Sequence, residues 1–145
     1  MSEIGDLIAT LPGLTPGLEG RMTHLVRSQD LADAWQGEVS ALASAPVIWL
    51  AELACMRAVA AALPAGHTTV GVGFDLRHLA PTPAGVTIEI TARLNRAIGR
   101  SLLFEVRGTD GAGIILDGRM TRHIAEPAVV LQQMTRRHGT TRPSV

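Results

Sequence analysis

The chain has 145 residues, with one cysteine and with thirteen arginines (no lysine) balanced against thirteen acidic side chains. That length suits one domain with a core of ordinary size, and the zero net charge offers no basic stripe to a nucleic-acid partner. Cys55 alone excludes an internal disulfide, and with 46% hydrophobic but only 3% aromatic residues the core must be packed by Ala, Val, Leu and Ile.

Residues 1–16 form a weakly patterned N-terminal segment in which Ile4, Leu7, Ile8 and Leu11 have helical spacing before Pro12-Gly13. The opening is acidic and its apolar run short, unlike a signal peptide, so a cytoplasmic protein is expected. Gly17 to Val26 reads as a first strand, with Met22, His24 and Val26 on one parity. Ser28 to Glu38 holds a short helical turn or loop around Leu31, Ala34 and Trp35.

Ser44 to Leu63 is the most apolar stretch and reads as a single buried helix. Ser44 is a plausible N-cap, Pro46 falls in the first turn, and Leu63-Pro-Ala-Gly66 stops the helix. Two charges and a proline argue against a membrane span. The face centred on Glu52 also carries Ala45, Ile48, Trp49, Cys55, Met56, Val59 and Leu63, whereas Arg57 points about 140° away. A lone carboxylate in such a stripe loses hydration, which raises its pKa unless a partner compensates. Glu52 therefore meets a polar group from elsewhere or edges a cleft, unless it only snorkels at a rim. Its replacement by Gln would keep the shape and remove an unfavourable buried charge, so folding is expected to be retained and stability even to rise. Cys55 reads as a small hydrophobe rather than a nucleophile.

The period then changes to two. From Thr69 to His78, alternation places Val70, Val72, Phe74, Leu76 and His78 on the helix side, with Gly71 and Gly73 opposite. Gly85 to Leu94 puts Val86, Ile88, Ile90, Ala92 and Leu94 inside, and Arg100 to Gly108 does the same with Leu102, Phe104 and Val106. Thr109 to Gly113 is a turn cluster and Ile114 to Ile124 the last strand. A C-terminal helix over 127–138 follows, and 140–145 reads as a disordered tail.

Strand, helix and four consecutive strands imply an α+β domain, a long central helix wrapped by a curved antiparallel sheet of about five strands. That architecture is the hotdog fold, and its free sheet edge predicts a homodimer. His78 shares the helix-side layer with Glu52, although a histidine at a strand end also serves structurally. The glycines at 71 and 73 admit close backbone approach or a bulge. Walker, Gly-x-Ser-x-Gly, CxxC and His-Glu-x-x-His motifs are absent, and no metal or separate cofactor is expected.

Two of these motifs resemble a known family. Leu42 to Cys55, with Ser44, Ala45-Pro46 and Glu52, is similar to the helix motif of the fluoroacetyl-CoA thioesterase-like family, and Gly71 to Gly85, with His78 and Thr82, is similar to its histidine-bearing strand. The resemblance covers about Gly17 to Ile124. It implies a hydroxyl, carboxylate and imidazole trio, falling on Ser44, Glu52 and His78, with Gly71 near the acyl carbonyl and Arg122 in the last strand. The family's best-known member has threonine at the hydroxyl position, and its proline follows directly, whereas here Ala45 intervenes. The implied activity is acyl-CoA hydrolysis, with coenzyme A as part of the substrate and Ile48, Trp49 and Met56 lining a small-to-medium acyl pocket. A non-catalytic acyl-ligand-binding module on the same fold is the alternative. A hotdog dehydratase is a weaker alternative still, because its Asp/His motif is missing.

Overall fold

The computed structural model describes residue 11 and residues 13–139. The helical spacing of Ile4, Leu7 and Ile8 and the tail 140–145 lie outside the described residues. The elements run β1 (Glu19–Leu25), α1 (Ser44–Val59), β2 (Thr68–His78), β3 (Thr87–Ile98), β4 (Ser101–Thr109), β5 (Ile114–Ala125) and α2 (Pro127–His138). The segment between β1 and α1 makes two 3₁₀ turns, Ser28–Asp30 and Ala32–Trp35, and a third, Ala60–Ala62, finishes α1. All five strands form one antiparallel sheet in the order β1-β3-β4-β5-β2, with β1 and β2 at its edges.

Helix α1 lies on the inner face of that sheet, chiefly against β1 and β3. Long and apolar enough by composition to cross a bilayer, it packs here as a core helix. Its buried face is Val47, Leu50, Ala51, Ala54, Cys55, Ala58 and Val59. The small residues bring the helix backbone onto β1, where a Cβ at Gly20 would run into Ala54 O and Ala58 N. The stripe expected to be buried is therefore displaced. Ile48, Glu52 and Met56 are half-buried along one edge of the core face, and Trp49 is 53% exposed.

The β3 alternation holds, with Ile88, Ile90, Ala92 and Leu94 buried under α1. The strand continues to Ile98 past a bulge between Leu94 and Arg96, longer than the expected end at Leu94. Strand β2 departs from the expectation. Its pairing with β5 shifts between Gly71 and Gly73, so Val72 is an inserted bulge residue and the inward parity changes there. Thr69 and Gly71 face inward before the bulge, opposite Ile124 and Arg122; Phe74 and His78 face inward after it, opposite Met120 and Leu116. Val70 and Val72, expected on the helix side, lie on the outer face, and Gly71, expected outside, points at the helix.

Candidate active site

Arg122 projects from the inner face of β5 and is 2% exposed. Its guanidinium is held at three points: Nε donates to Thr69 Oγ1 at 2.8 Å, Nη2 to Thr69 O at 2.7 Å, and Nη1 to Glu52 Oε1 at 2.8 Å. The compensating partner required by a carboxylate on α1 is thus a buried cation seventy residues away in the chain. Gly71 sits directly across from Arg122 in the sheet. A Cβ at Gly71 would overlap Glu52 Oε1 and come within 3.2 Å of Phe74 Cζ and 3.3 Å of Arg122 Nη1. Glycine is needed here for space, since the carboxylate occupies the volume that any side chain would take.

Ser44 and His78 form a second cluster. Ala43 is the N-cap of α1 in extended conformation, no side chain caps the helix, and Ser44 is its first residue. The expected capping role of Ser44 is therefore corrected: its Oγ lies 2.9 Å from His78 Nδ1. With the hydroxyl donating to Nδ1, the imidazole proton resides on Nε2. That Nε2 is buried and has no hydrogen-bond partner among the described residues. His78 also lines a small cavity of about 290 Å³ with Val39, Leu42, Leu79 and Pro81. The loop after His78 is tied down by Thr82, whose carbonyl accepts from Leu42 N at 2.8 Å and whose hydroxyl donates to Asp110 Oδ2 at 2.9 Å.

The three groups implied by the resemblance are thus sorted into two places. Ser44 and Glu52 are separated by eight positions of one helix, a rise of about 12 Å, and Gly71 and His78 by roughly 20 Å of strand. One chain joins Ser44 to His78 and Glu52 to Arg122, but does not bring the two pairs together. Of the expected acyl-lining residues, Met56 borders a cavity of about 310 Å³, Ile48 packs against the core, and Trp49 is exposed on this subunit. Burial pushes the Cys55 thiol up to about 12, and its Sγ lies 4.0 Å from Met120 Sδ, so it stays a protonated core residue. Among the described residues no group of three His, Cys, Asp or Glu side chains is arranged to hold a metal. Sequence reading missed Thr69, which accepts twice from Arg122; only the bulge reveals that it faces inward.

A helix embraced by one curved antiparallel sheet, with polar pairs at its edge, defines a hotdog domain. A hot-dog-like protein from Thermanaerovibrio acidaminovorans superposes with a TM-score of 0.81 at 19% identity, covering 91% of this chain and 99% of that one. Residues 26–128 match the family model described as fluoroacetyl-CoA-specific thioesterase, and the chain belongs to that family. It is 36% identical over 78 residues to the fluoroacetyl-CoA thioesterase of Streptantibioticus cattleyicolor, an alignment covering 54% of this chain and 56% of that relative. The chain therefore spans little more than half the length of the curated relative it matches. A solved threonine-to-serine variant of fluoroacetyl-CoA thioesterase in complex with acetyl-CoA has a TM-score of 0.80 at 25% identity, covering 86% of this chain and 98% of that one.

Proposed function

We propose that this protein is an acyl-CoA thioesterase that works as a homodimer, each active site combining Glu52, Gly71 and Arg122 of one subunit with the partner's Ser44 and His78. The observation that carries this reading is the division of Ser44, Glu52 and His78 into two hydrogen-bonded pairs, one of which ends in an unpartnered imidazole nitrogen. Strand β2 is an edge strand with no neighbour beyond it among the described residues, so a second copy can add there. Antiparallel pairing of two β2 strands about Asp75 sets Phe74 opposite the partner's Leu76, so inward residues meet inward residues. The same register sets the partner's His78 opposite the bulge at Gly71 and Val72, beside Glu52.

Hydrolysis then needs a base, a donor for the leaving group and charge near the oxyanion. Arg122 fixes Oε1 of Glu52 and leaves Oε2 for water. Glu52 takes a proton from that water as its oxygen adds to the thioester carbonyl, and Arg122 lends positive charge beside the developing oxyanion. Collapse of the tetrahedral adduct breaks the C–S bond, and the departing sulfur, hydrogen-bonded by the Nε2–H of the partner's His78, takes up the proton that Glu52 accepted from water. The products are a carboxylic acid and free CoA. Ser44 holds the imidazole tautomer that makes this hydrogen bond possible. The solved threonine-to-serine variant in complex with acetyl-CoA supports serine at this position as compatible with thioester binding in the family.

The test is thiol release over a panel of acyl-CoAs, with fluoroacetyl-CoA and acetyl-CoA as a selectivity pair. Activity on at least one thioester is expected, and silence across the panel would overturn the reading. Subunit sharing is tested by co-refolding Glu52→Gln with His78→Ala, each inactive alone. Half of the random dimers are then mixed and each has one intact site, so about one quarter of wild-type activity returns. No recovery in a verified mixed dimer would show that the site is not shared.

A further inference from the structure

We propose that the acyl group accepted here is a linear chain of medium length, longer than two carbons, lodged in the cavity beside the second half of α1; this rests on the thioesterase reading. The cavity measures about 310 Å³, some ten times the ~30 Å³ share of a water molecule in the liquid. It adjoins the Glu52 site, sharing Thr69 with it but not Glu52, Gly71 or Arg122. Thr69, which holds the Arg122 fork, also lines the cavity, and Met56 stands one helical turn beyond Glu52 on the same face.

Its walls are largely apolar, with Met22 from β1 and Leu53, Met56, Ala60 and Leu63 from the helix side, while His67, Thr68 and Thr69 form a polar side at the start of β2. Arg57, also at the wall, has its guanidinium turned to β1, where Nη1 donates to Arg21 O at 3.0 Å. Along the helix side of this open groove water finds few protein partners, so hydrocarbon laid against Met22, Leu53, Met56 and Leu63 displaces it favourably. Two methionines in the lining, Met22 and Met56, give a wall that adapts to chains of differing length rather than measuring one. A two-carbon acyl group would reach the carbonyl site and leave this space unused, so the preference inferred here departs from the two-carbon acyl group in the family's description.

Each methylene transferred from water into an apolar wall is worth about fourfold in affinity. The four methylenes separating acetyl from hexanoyl should therefore raise kcat/KM by at least about tenfold even where burial is partial. The experiment measures kcat/KM for acetyl-, butyryl-, hexanoyl- and octanoyl-CoA on the wild type, Ala60→Phe and Ala61→Phe. Ala60→Phe fills the cavity and should bring the hexanoyl-to-acetyl ratio near unity. Ala61→Phe, an exposed neighbour outside the cavity, should leave that ratio as in the wild type. Met22→Trp fills the space from the strand side and replaces Ala60→Phe if that variant does not fold. A wild-type profile that is flat or falls with chain length, while acetyl-CoA is turned over, would overturn the inference. So would a ratio that survives the filling variants. If no thioester is turned over, the thioesterase reading fails on its own. The cavity is then judged by calorimetry, where equal Kd for hexanoyl- and acetyl-CoA would refute it.

Discussion

The two polar clusters on α1 differ in how completely their own chain satisfies them. Around Glu52, every guanidinium nitrogen of Arg122 donates to a partner, and the carboxylate fits only because Gly71 has no side chain. Around Ser44, one hydrogen bond fixes the imidazole and its other nitrogen is left bare. The first arrangement is preorganised within the chain, at the cost of burying a cation. The second is positioned but incomplete, which is what a group waiting for substrate or a second subunit should look like.

The largest effect is expected from Glu52→Gln, which keeps the shape of the saturated cluster and removes its base. Turnover should fall by about 10²-fold or more. Stability should fall as well, reversing the gain expected from a lone desolvated carboxylate, because Arg122 is left as a buried cation without its counter-charge. Breaking a buried pair typically costs 3–5 kcal/mol, but the Gln carbonyl still accepts from Nη1, so a loss of about 1–3 kcal/mol is expected. Thiol release and thermal melting on the same preparation check both. An active Glu52→Gln would mean that Glu52 is not the base, and a more stable one that the pair does not support the fold.

Ser44 probes the incomplete cluster. Ser44→Ala deletes the donor that sets the His78 tautomer and should lower turnover by roughly tens of fold, less than the ~10²-fold of a lost acid/base group because the imidazole itself remains. The helix loses no cap, since Ala43 occupies that position, so the melting temperature should hardly move. Ser44→Thr retains the hydroxyl and should keep most of the turnover. The reverse pattern, with melting lowered and turnover intact, would restore a capping role.

How much of this was legible depended on which rule governed each segment. Strand β3 was readable because one face is buried over its whole first part and no residue is inserted until after Leu94. In β2 the same counting failed at one residue. The bulge at Val72 turns the valines outward and Gly71 inward, and alternation carries no information about an insertion. The two glycines were the available signal, and they pointed equally to a bulge and to ligand approach. On α1 the apolar residues run nearly all round, so the core face could not be chosen from the helix alone. The small residues facing Gly20 decided it. Ser44 has a strong N-cap preference, yet a contact to His78, thirty-four residues on, outweighed local propensity. The pairing of Glu52 with Arg122 was not visible to any local pattern. The family resemblance supplied both residues, and the fold supplied the hydrogen bond.

The smallest effect expected concerns what holds the incomplete cluster in place. Asp110 Oδ2 accepts from the Thr82 hydroxyl and Oδ1 from Ala112 N at 3.0 Å. Thr82 in turn accepts from Leu42 N, two residues before Ser44. The turn after β4, the loop after His78 and the entry to α1 are thereby linked. The Thr82 hydrogen bond, aided by the turn's backbone N–H groups, holds the Asp110 carboxyl below its ordinary value of 3.8. A carboxyl depressed in the folded state contributes stability above the unfolded value and loses it as pH falls through the folded one. Wild type should therefore lose a modest part of its melting temperature between roughly pH 5 and roughly pH 3. Asp110→Asn should begin lower at neutral pH and show a shallower decline, so that the two curves converge on acidification. Because the link reaches Ser44 and His78 but not Arg122, the variant should also weaken turnover slightly without the stability loss of Glu52→Gln. Parallel melting curves over that pH range would mean that Asp110 does not support the histidine end of the site.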